Sequence, residues 1–156
     1  MAQPPHFELE NAAYFIATST LGRKQIFRQL RLAEIIVDIL LSNRMAWEYT
    51  LFAYVIMPDQ LHVLLQPNGD LGLSKILNQI KGVSSRKINL KLKQERTWKK
   101  GFYDFTIFSD RKFKEKFNYI HFNPVKWNLV KNAEDYPFSS ERDYLEKYGA
   151  LYYDTS

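Results

Sequence analysis

The sequence predicts an α+β fold in which an antiparallel β-sheet carries helices packed on one face. Three observations lead there. Two strand-like runs, 47–57 and 61–66, are separated only by Pro58-Asp-Gln60, with the interruption at Pro58-Asp59. Apolar stripes at helical spacing occupy 24–41 and 71–93. The elements follow one another as β-α-β-β-α-β-α, an order that builds a single sheet with helical cover.

Ala13-Tyr-Phe-Ile-Ala-Thr18 has the β-branched and aromatic composition of a strand. Ile26, Phe27, Leu30, Ala33, Val37, Leu40 and Leu41 form the stripe of the first helix. Residues 47–57 are apolar on one face and largely apolar on the other, which predicts a central strand. Leu61 to Gln66 is the next strand, and Pro67-Asn-Gly-Asp70 is a turn. The helix over 71–93 buries Leu73, Ile76, Leu77, Ile80 and Val83 and turns its lysines outward. Residues 102–108 form an aromatic-rich strand. A helix over 111–122 ends at Asn123-Pro124, because a residue before proline disfavours the helical region. A turn at Tyr136-Pro-Phe-Ser-Ser and a short helix at 140–148 complete the chain. This is the pattern of a ferredoxin-like sandwich, read as one domain over 1–156 with a loose arm at 1–8 and a C-terminal extension at 125–156.

Composition narrows the chemistry. A hydrophobic fraction of 46% in 156 residues supports a real core. The chain has no cysteine, which excludes disulfides, thiolate metal sites and cysteine nucleophiles and fits a reducing cytoplasm. No apolar run approaches the ~20 residues of a membrane helix, so no membrane partner is expected. The net charge of +5 is unevenly spread. Lys75, Lys81, Arg86, Lys87, Lys91, Lys93, Arg96, Lys99 and Lys100 face Glu95 alone within 75–100, which leaves the remainder net acidic. Such clustering is the footprint of a polyanion, although a charge run by itself is more often a solvated face.

Two short segments carry candidate chemistry. Side chains alternate along a strand, so Gln60 and His62 point the same way. Tyr119 and Asn123 are one helical turn apart and share a face. If that helix packs on that strand, an imidazole, two amide oxygens and a phenol converge. Such a set suits a hard divalent cation, Mg²⁺ or Mn²⁺, beside a tyrosine nucleophile. His121 points elsewhere on the helix and reads as structural. Trp98, Phe102, Tyr103 and Phe105 follow the basic run. Unpaired bases stack on such rings for ~1–3 kcal/mol each, whereas Phe102 and Phe105 read as core. The expected DNA contacts are Lys81, Arg86, Lys87, Lys91, Lys93, Arg96, Trp98, Lys99, Lys100, Tyr103 and Lys126.

Four ordered segments resemble one family. Met57-Pro-Asp-Gln-Leu-His-Val-Leu-Leu65 is similar to the Met-Pro-Asn-His-hydrophobic-His segment of the HUH-type tyrosine transposases, in particular the REP-associated branch. Trp98-Lys-Lys-Gly-Phe-Tyr-Asp104, Asn118-Tyr-Ile-His-Phe-Asn-Pro-Val-Lys126 and Asp135-Tyr-Pro-Phe-Ser-Ser-Glu-Arg-Asp-Tyr144 resemble its further segments, so the likeness runs from about Tyr14 to Tyr144. The resemblance implies binding of hairpin-forming single-stranded DNA and cleavage and rejoining through a 5′-phosphotyrosine. It makes Tyr119 the nucleophile and His62, Gln60 and Asn123 the ligands of Mg²⁺ or Mn²⁺. It also implies a cytoplasmic, nucleoid-associated protein, and allows a monomer or a domain-swapped homodimer.

The chain departs from that pattern where Gln60 replaces the first histidine, Asp59 an asparagine, and Phe105 the histidine after Tyr-Asp. An amide in place of an imidazole weakens a metal site. A catalytically impaired relative that binds structured single-stranded DNA is therefore the alternative reading. An RNA-binding module of the same fold comes third, because the usual aromatic-rich RNA-binding strand signature is missing.

Overall fold

The structure is a computed structural model that describes residues 12–148; the arm expected at 1–8 lies outside the described residues. Its main elements are β1 (Tyr14–Ser19), α1 (Leu30–Ser42), β2 (Tyr49–Met57), β3 (Gln60–Pro67), α2 (Leu73–Leu92), β4 (Tyr103–Thr106), α3 (Asp110–Lys126) and α4 (Glu141–Tyr148). The sheet is antiparallel with strand order β2-β3-β1-β4, the ferredoxin-like arrangement.

β2 and β3 form a hairpin around Pro58-Asp59, with Met57 paired to Gln60. That register sets His62 between Val55 and Ala17, and Leu64 beside Phe15. Alternation then sorts the side chains. Tyr14, Ile16, Tyr54, Ile56, Leu61, Val63 and Leu65 pack with α1 and α2 on one face. Phe15, Ala53, Val55, Met57 and Leu64 pack with Phe117 and Ile120 of α3 on the other. The helices therefore cover both faces of the sheet, not one. The apolar face of α3 had no other place to be buried.

Three further expectations are corrected. β2 is an edge strand, not a central one. It is apolar on both sides because both faces are covered, and its open edge is closed by the C-terminal segment. Ile56 N donates to Phe138 O at 2.8 Å, and Ser140 N donates to Tyr54 O at 3.0 Å. The first helix starts at Leu30 rather than 24. Residues 21–23 and 26–28 are 3₁₀ turns, because Thr20 N and Phe27 N bond to Asp59 O and Pro58 O of the hairpin at 3.0 Å each. Finally, α3 continues through Pro124 to Lys126. A proline in the last turn removes one helical bond only, and Trp127 N still donates to Asn123 O at 3.1 Å.

The C-terminal segment is held to the sheet by a buried polar cluster. Ser140 Oγ accepts from Tyr54 N at 3.0 Å and lies 2.7 Å from His121 Nε2. His121 is fully buried, and burial pulls its pKa down to about 3, so it is neutral. The buried Glu141 carboxyl is 3.8 Å from His121 Nδ1, and its pKa is pushed up to about 7, first by burial and then by Glu134. A carboxyl raised in this way favours the fold below its unfolded value and opposes it as pH rises toward 7. Glu141→Gln should therefore stabilise the protein at pH 8, by on the order of 2–3 kcal/mol, with little gain at pH 4.5. Urea unfolding at the two pH values checks this. An equal gain at both would contradict it.

Candidate functional site

β3 and α3 bring the expected residues to one place. Gln60 and His62 emerge from β3 on the face covered by α3. His62 is buried beneath the sheet-facing side of Tyr119, with ring centroids 5.6 Å apart. Tyr119 also meets Phe15 edge-on at 5.7 Å. Its ring stays 40% exposed and lines a cleft of about 350 Å³ with Arg23, Gln25, Arg28, Met57, Pro58, Asp59, Gln60, Trp127 and Leu129. Lys126 Nζ sits 5.8 Å above the Tyr119 ring. All of these contacts lie within one chain.

Arg23 was not anticipated. Its Nε donates to Asp59 Oδ2 at 2.9 Å. Its Nη atoms reach the Gln60 side-chain amide, which lies between Arg23 and His62. A guanidinium only donates, so the amide oxygen must face Arg23, with Nη1 at 2.9 Å. The amide NH₂ then donates to His62 Nε2 at 2.7 Å. Nε2 is thereby the acceptor, and the imidazole proton belongs on Nδ1. Burial, followed by the nearby Arg23 cation, pulls His62 down to about 4; Asp59 opposes this and Lys116 adds to it. His62 is neutral at physiological pH.

This arrangement does not fit a resident divalent ion. The lone pairs expected to ligate it, on Gln60 Oε1 and His62 Nε2, are each occupied by an N–H. Asp59, the only carboxylate lining the cleft among the described residues, is paired with Arg23. Lys116, whose Nζ lies 4.8 Å from the centroids of both Phe15 and Phe105, adds a second cation nearby. Asn123 is buried on α3, and its Oδ1 has no partner among the described residues.

The expected DNA contacts divide. Arg86, Lys87, Lys91, Lys93, Arg96, Lys99 and Lys100 are exposed. α2 packs on the sheet face opposite Tyr119, so Arg86, Lys87 and Lys91 start from the far side. Lys99 and Lys100 line a separate cleft with Ser19 and the exposed Tyr103, beside the β1 end that pairs with Gln60. Lys81 is corrected: its Nζ donates to Lys99 O at 2.8 Å and Gly101 O at 2.6 Å, and burial lowers its pKa to about 8. Trp98 is also corrected. It is 7% exposed, and its Nε1 donates to Ser84 Oγ at 2.9 Å, so its ring cannot stack on a base. Phe102 is core, as read from the sequence, and Phe105 is half-buried. Trp127, passed over in the sequence, is 64% exposed in the Tyr119 cleft.

A ferredoxin-like sheet thus carries α3 on one face, with Tyr119 above the His62 and Gln60 of β3. The chain belongs to the IS200-like transposase family, whose model matches residues 8–123. It is 30% identical over 89 residues to the REP-associated tyrosine transposase of Escherichia coli (strain K12), covering 56% of this chain and 52% of that protein. The chain thus spans about half the length of the curated relatives it matches. A solved REP-associated tyrosine transposase bound to a REP hairpin shares the fold, with a TM-score of 0.77 and 20% identity over 94% of this chain and 87% of that one. A crystal structure from Deinococcus radiodurans R1 has a TM-score of 0.56 and 22% identity over 76% of this chain and 95% of that one. Among the described residues no helix is long and apolar enough to cross a membrane.

Trp98 and Trp127 should behave oppositely. Trp98→Ala removes a core ring and should cost ~3–5 kcal/mol of stability, whereas Trp127→Ala should change it by less than ~0.5 kcal/mol. Urea melts measure both. A Trp98 variant as stable as the native chain would contradict the assignment of that ring to the core.

Proposed function

We propose that this chain binds hairpin-forming single-stranded DNA across the α3 face and cleaves and rejoins one strand through Tyr119. The observation that carries the reading is a half-exposed phenol in a cleft with two arginines and an open indole, in a chain of the IS200-like transposase family. The REP hairpin held by the similar solved protein supports a hairpin partner.

In the reaction proposed here, the Tyr119 oxygen attacks phosphorus and the bond from phosphorus to the 3′-oxygen breaks. A 5′-phosphotyrosine and a 3′-hydroxyl result. The phenolic proton leaves to water, which reaches the exposed ring, and the departing 3′-oxygen takes a proton from water. Rejoining reverses these steps with a new 3′-hydroxyl. One phosphodiester is exchanged for another, so no external energy source is required. Arg23, Arg28 and Lys126 supply positive charge around the phosphate, Trp127 offers a face to an unpaired base, and Lys99, Lys100 and Tyr103 extend the contact. Arg86, Lys87, Lys91, Lys93 and Arg96 contribute longer-range attraction. With DNA as its partner, the protein would work in the cytoplasm at the nucleoid.

A second reading keeps Mg²⁺ or Mn²⁺ at His62, Gln60 and Asn123. The unpartnered Asn123 Oδ1 favours it, and it requires the Gln60 amide to turn away from Arg23. A third reading, a hairpin-binding protein without cleavage, is motivated by Gln60 itself.

Incubation with labelled hairpin DNA, followed by a denaturing gel, tests the proposal. The native chain should form a covalent adduct, and Tyr119→Phe should reduce it at least a thousandfold. An adduct that survives Tyr119→Phe would sink the tyrosine assignment. Tight hairpin binding with no adduct under any metal condition would leave the binding-only reading.

A further inference from the structure

Resting on that tyrosine reading, we infer that Arg23 is the cation that holds the scissile phosphate, standing where a divalent ion would otherwise sit, and that Gln60 and Asp59 exist to position it. Arg23 is bound from two sides, by Asp59 at Nε and by the Gln60 oxygen at Nη1 and Nη2. A guanidinium has five N–H donors. Three are engaged by these partners, which leaves one N–H on each Nη, on opposite edges of the plane, each able to donate singly to a phosphate oxygen. The side chain is 59% exposed, so a strand in the cleft can reach it.

The backbone is shaped for this placement. Gly22 and Arg23 are both left-handed, at φ 66° and 55°. Glycine adopts that region freely, but arginine does so only when its surroundings impose it. Here they do: Leu21 N donates to Thr97 O at 2.9 Å, Arg23 N to Thr20 O at 3.1 Å, and Thr20 N to Asp59 O at 3.0 Å. The turn is fastened to the same hairpin that carries Asp59 and Gln60. Those two residues are also neighbouring departures from the family pattern, and both touch Arg23. An asparagine at 59 would lose the carboxylate that pairs with the guanidinium. A neutral histidine at 60 would offer one acceptor nitrogen and no oxygen.

Arg23 is a positioning and charge-neutralising residue in this account, and Gln60 links it to the buried His62. A guanidinium needs no dissociable ion, so the reaction should run with chelator present.

The test uses the full chain with labelled hairpin DNA, in EDTA and in Mn²⁺. The native chain should form the Tyr119 adduct at rates within twofold of each other in the two conditions. Arg23→Ala should lower the rate in EDTA at least tenfold. Arg23→Lys, which keeps the charge and loses the planar donor set that Asp59 and Gln60 hold, should also fall well below the native rate. An adduct that requires Mn²⁺ in the native chain and is indifferent to Arg23→Ala would overturn the inference. Calorimetric titration with Mn²⁺ alone should give no binding to the native chain, and micromolar binding would overturn it as well. Hairpin binding across a salt series gives a readout independent of cleavage: Arg23→Ala should reduce the slope of log K against log salt by about one. If the native chain forms no adduct in either condition, the tyrosine reading fails. The salt slope then still decides whether Arg23 holds a phosphate, and an unchanged slope would overturn that.

Discussion

The register of the β2–β3 hairpin is the constraint on which the rest of the site depends. Pro58-Asp59 closes a turn with Met57 opposite Gln60. Because side chains alternate with a period of two, a slip of one residue would send Gln60 and His62 to the other face. There they would meet α1 and α2 in a predominantly apolar layer, and Leu61 and Val63 would lie beneath Tyr119. The cost of burying those polar groups without partners enforces the register observed. The same turn presents the Pro58 and Asp59 carbonyls that hold the segment before α1. One turn therefore fixes the strand pair, the facing of His62 and the position of Arg23.

The second requirement is a sheet buried unequally on its two faces. α1 and α2 seal one face with a continuous aliphatic layer. On the other, Phe117 and Ile120 of α3 cover Ala53, Val55 and Leu64, while the half-turn carrying Tyr119 reaches the hairpin end. Small and branched neighbours, Ala17 and Val55, flank His62 in the sheet and leave room for the phenol above it. A helix one turn shorter would lose Asn123 and Lys126 from this end. Its continuation through Pro124 is tolerated because the C-terminal turn has unpaired carbonyls in any case.

Much of this was legible in the sequence because it is local. Alternation placed Gln60 beside His62, and helical spacing placed Asn123 one turn from Tyr119. Both rules involve only neighbours along the chain. What could not be read depends on contacts between distant segments. The face taken by α3 is set by which surface α1 and α2 leave open. Trp98 and Trp127 look alike beside their basic neighbours, yet Ser84, fourteen positions before Trp98, gives that ring a buried partner. Arg23 lies in a 3₁₀ turn with no periodicity. Its one local signal is a glycine just before it, at the point where a strand must turn.

The distribution of charge bears on how a polyanion would approach. Judged by sequence, the run from Lys75 to Lys100 dominates, but α2 places much of it behind the sheet. The cations nearest Tyr119 come from two other places: Arg23 and Arg28 before α1, and Lys116 and Lys126 on α3. Coulomb attraction between exposed groups fades beyond a Debye length of ~8 Å at physiological salt. A phosphate beside Tyr119 would therefore be governed by the cations nearest it, and under the proposed function the α2 lysines would act on more distant parts of a strand. Lys99 and Lys100 stand between these regions, on the segment that crosses from the end of α2 to the β1 edge, where Lys99 N donates to Ser19 O at 2.9 Å. That bond ties the basic segment to the strand end next to Gln60.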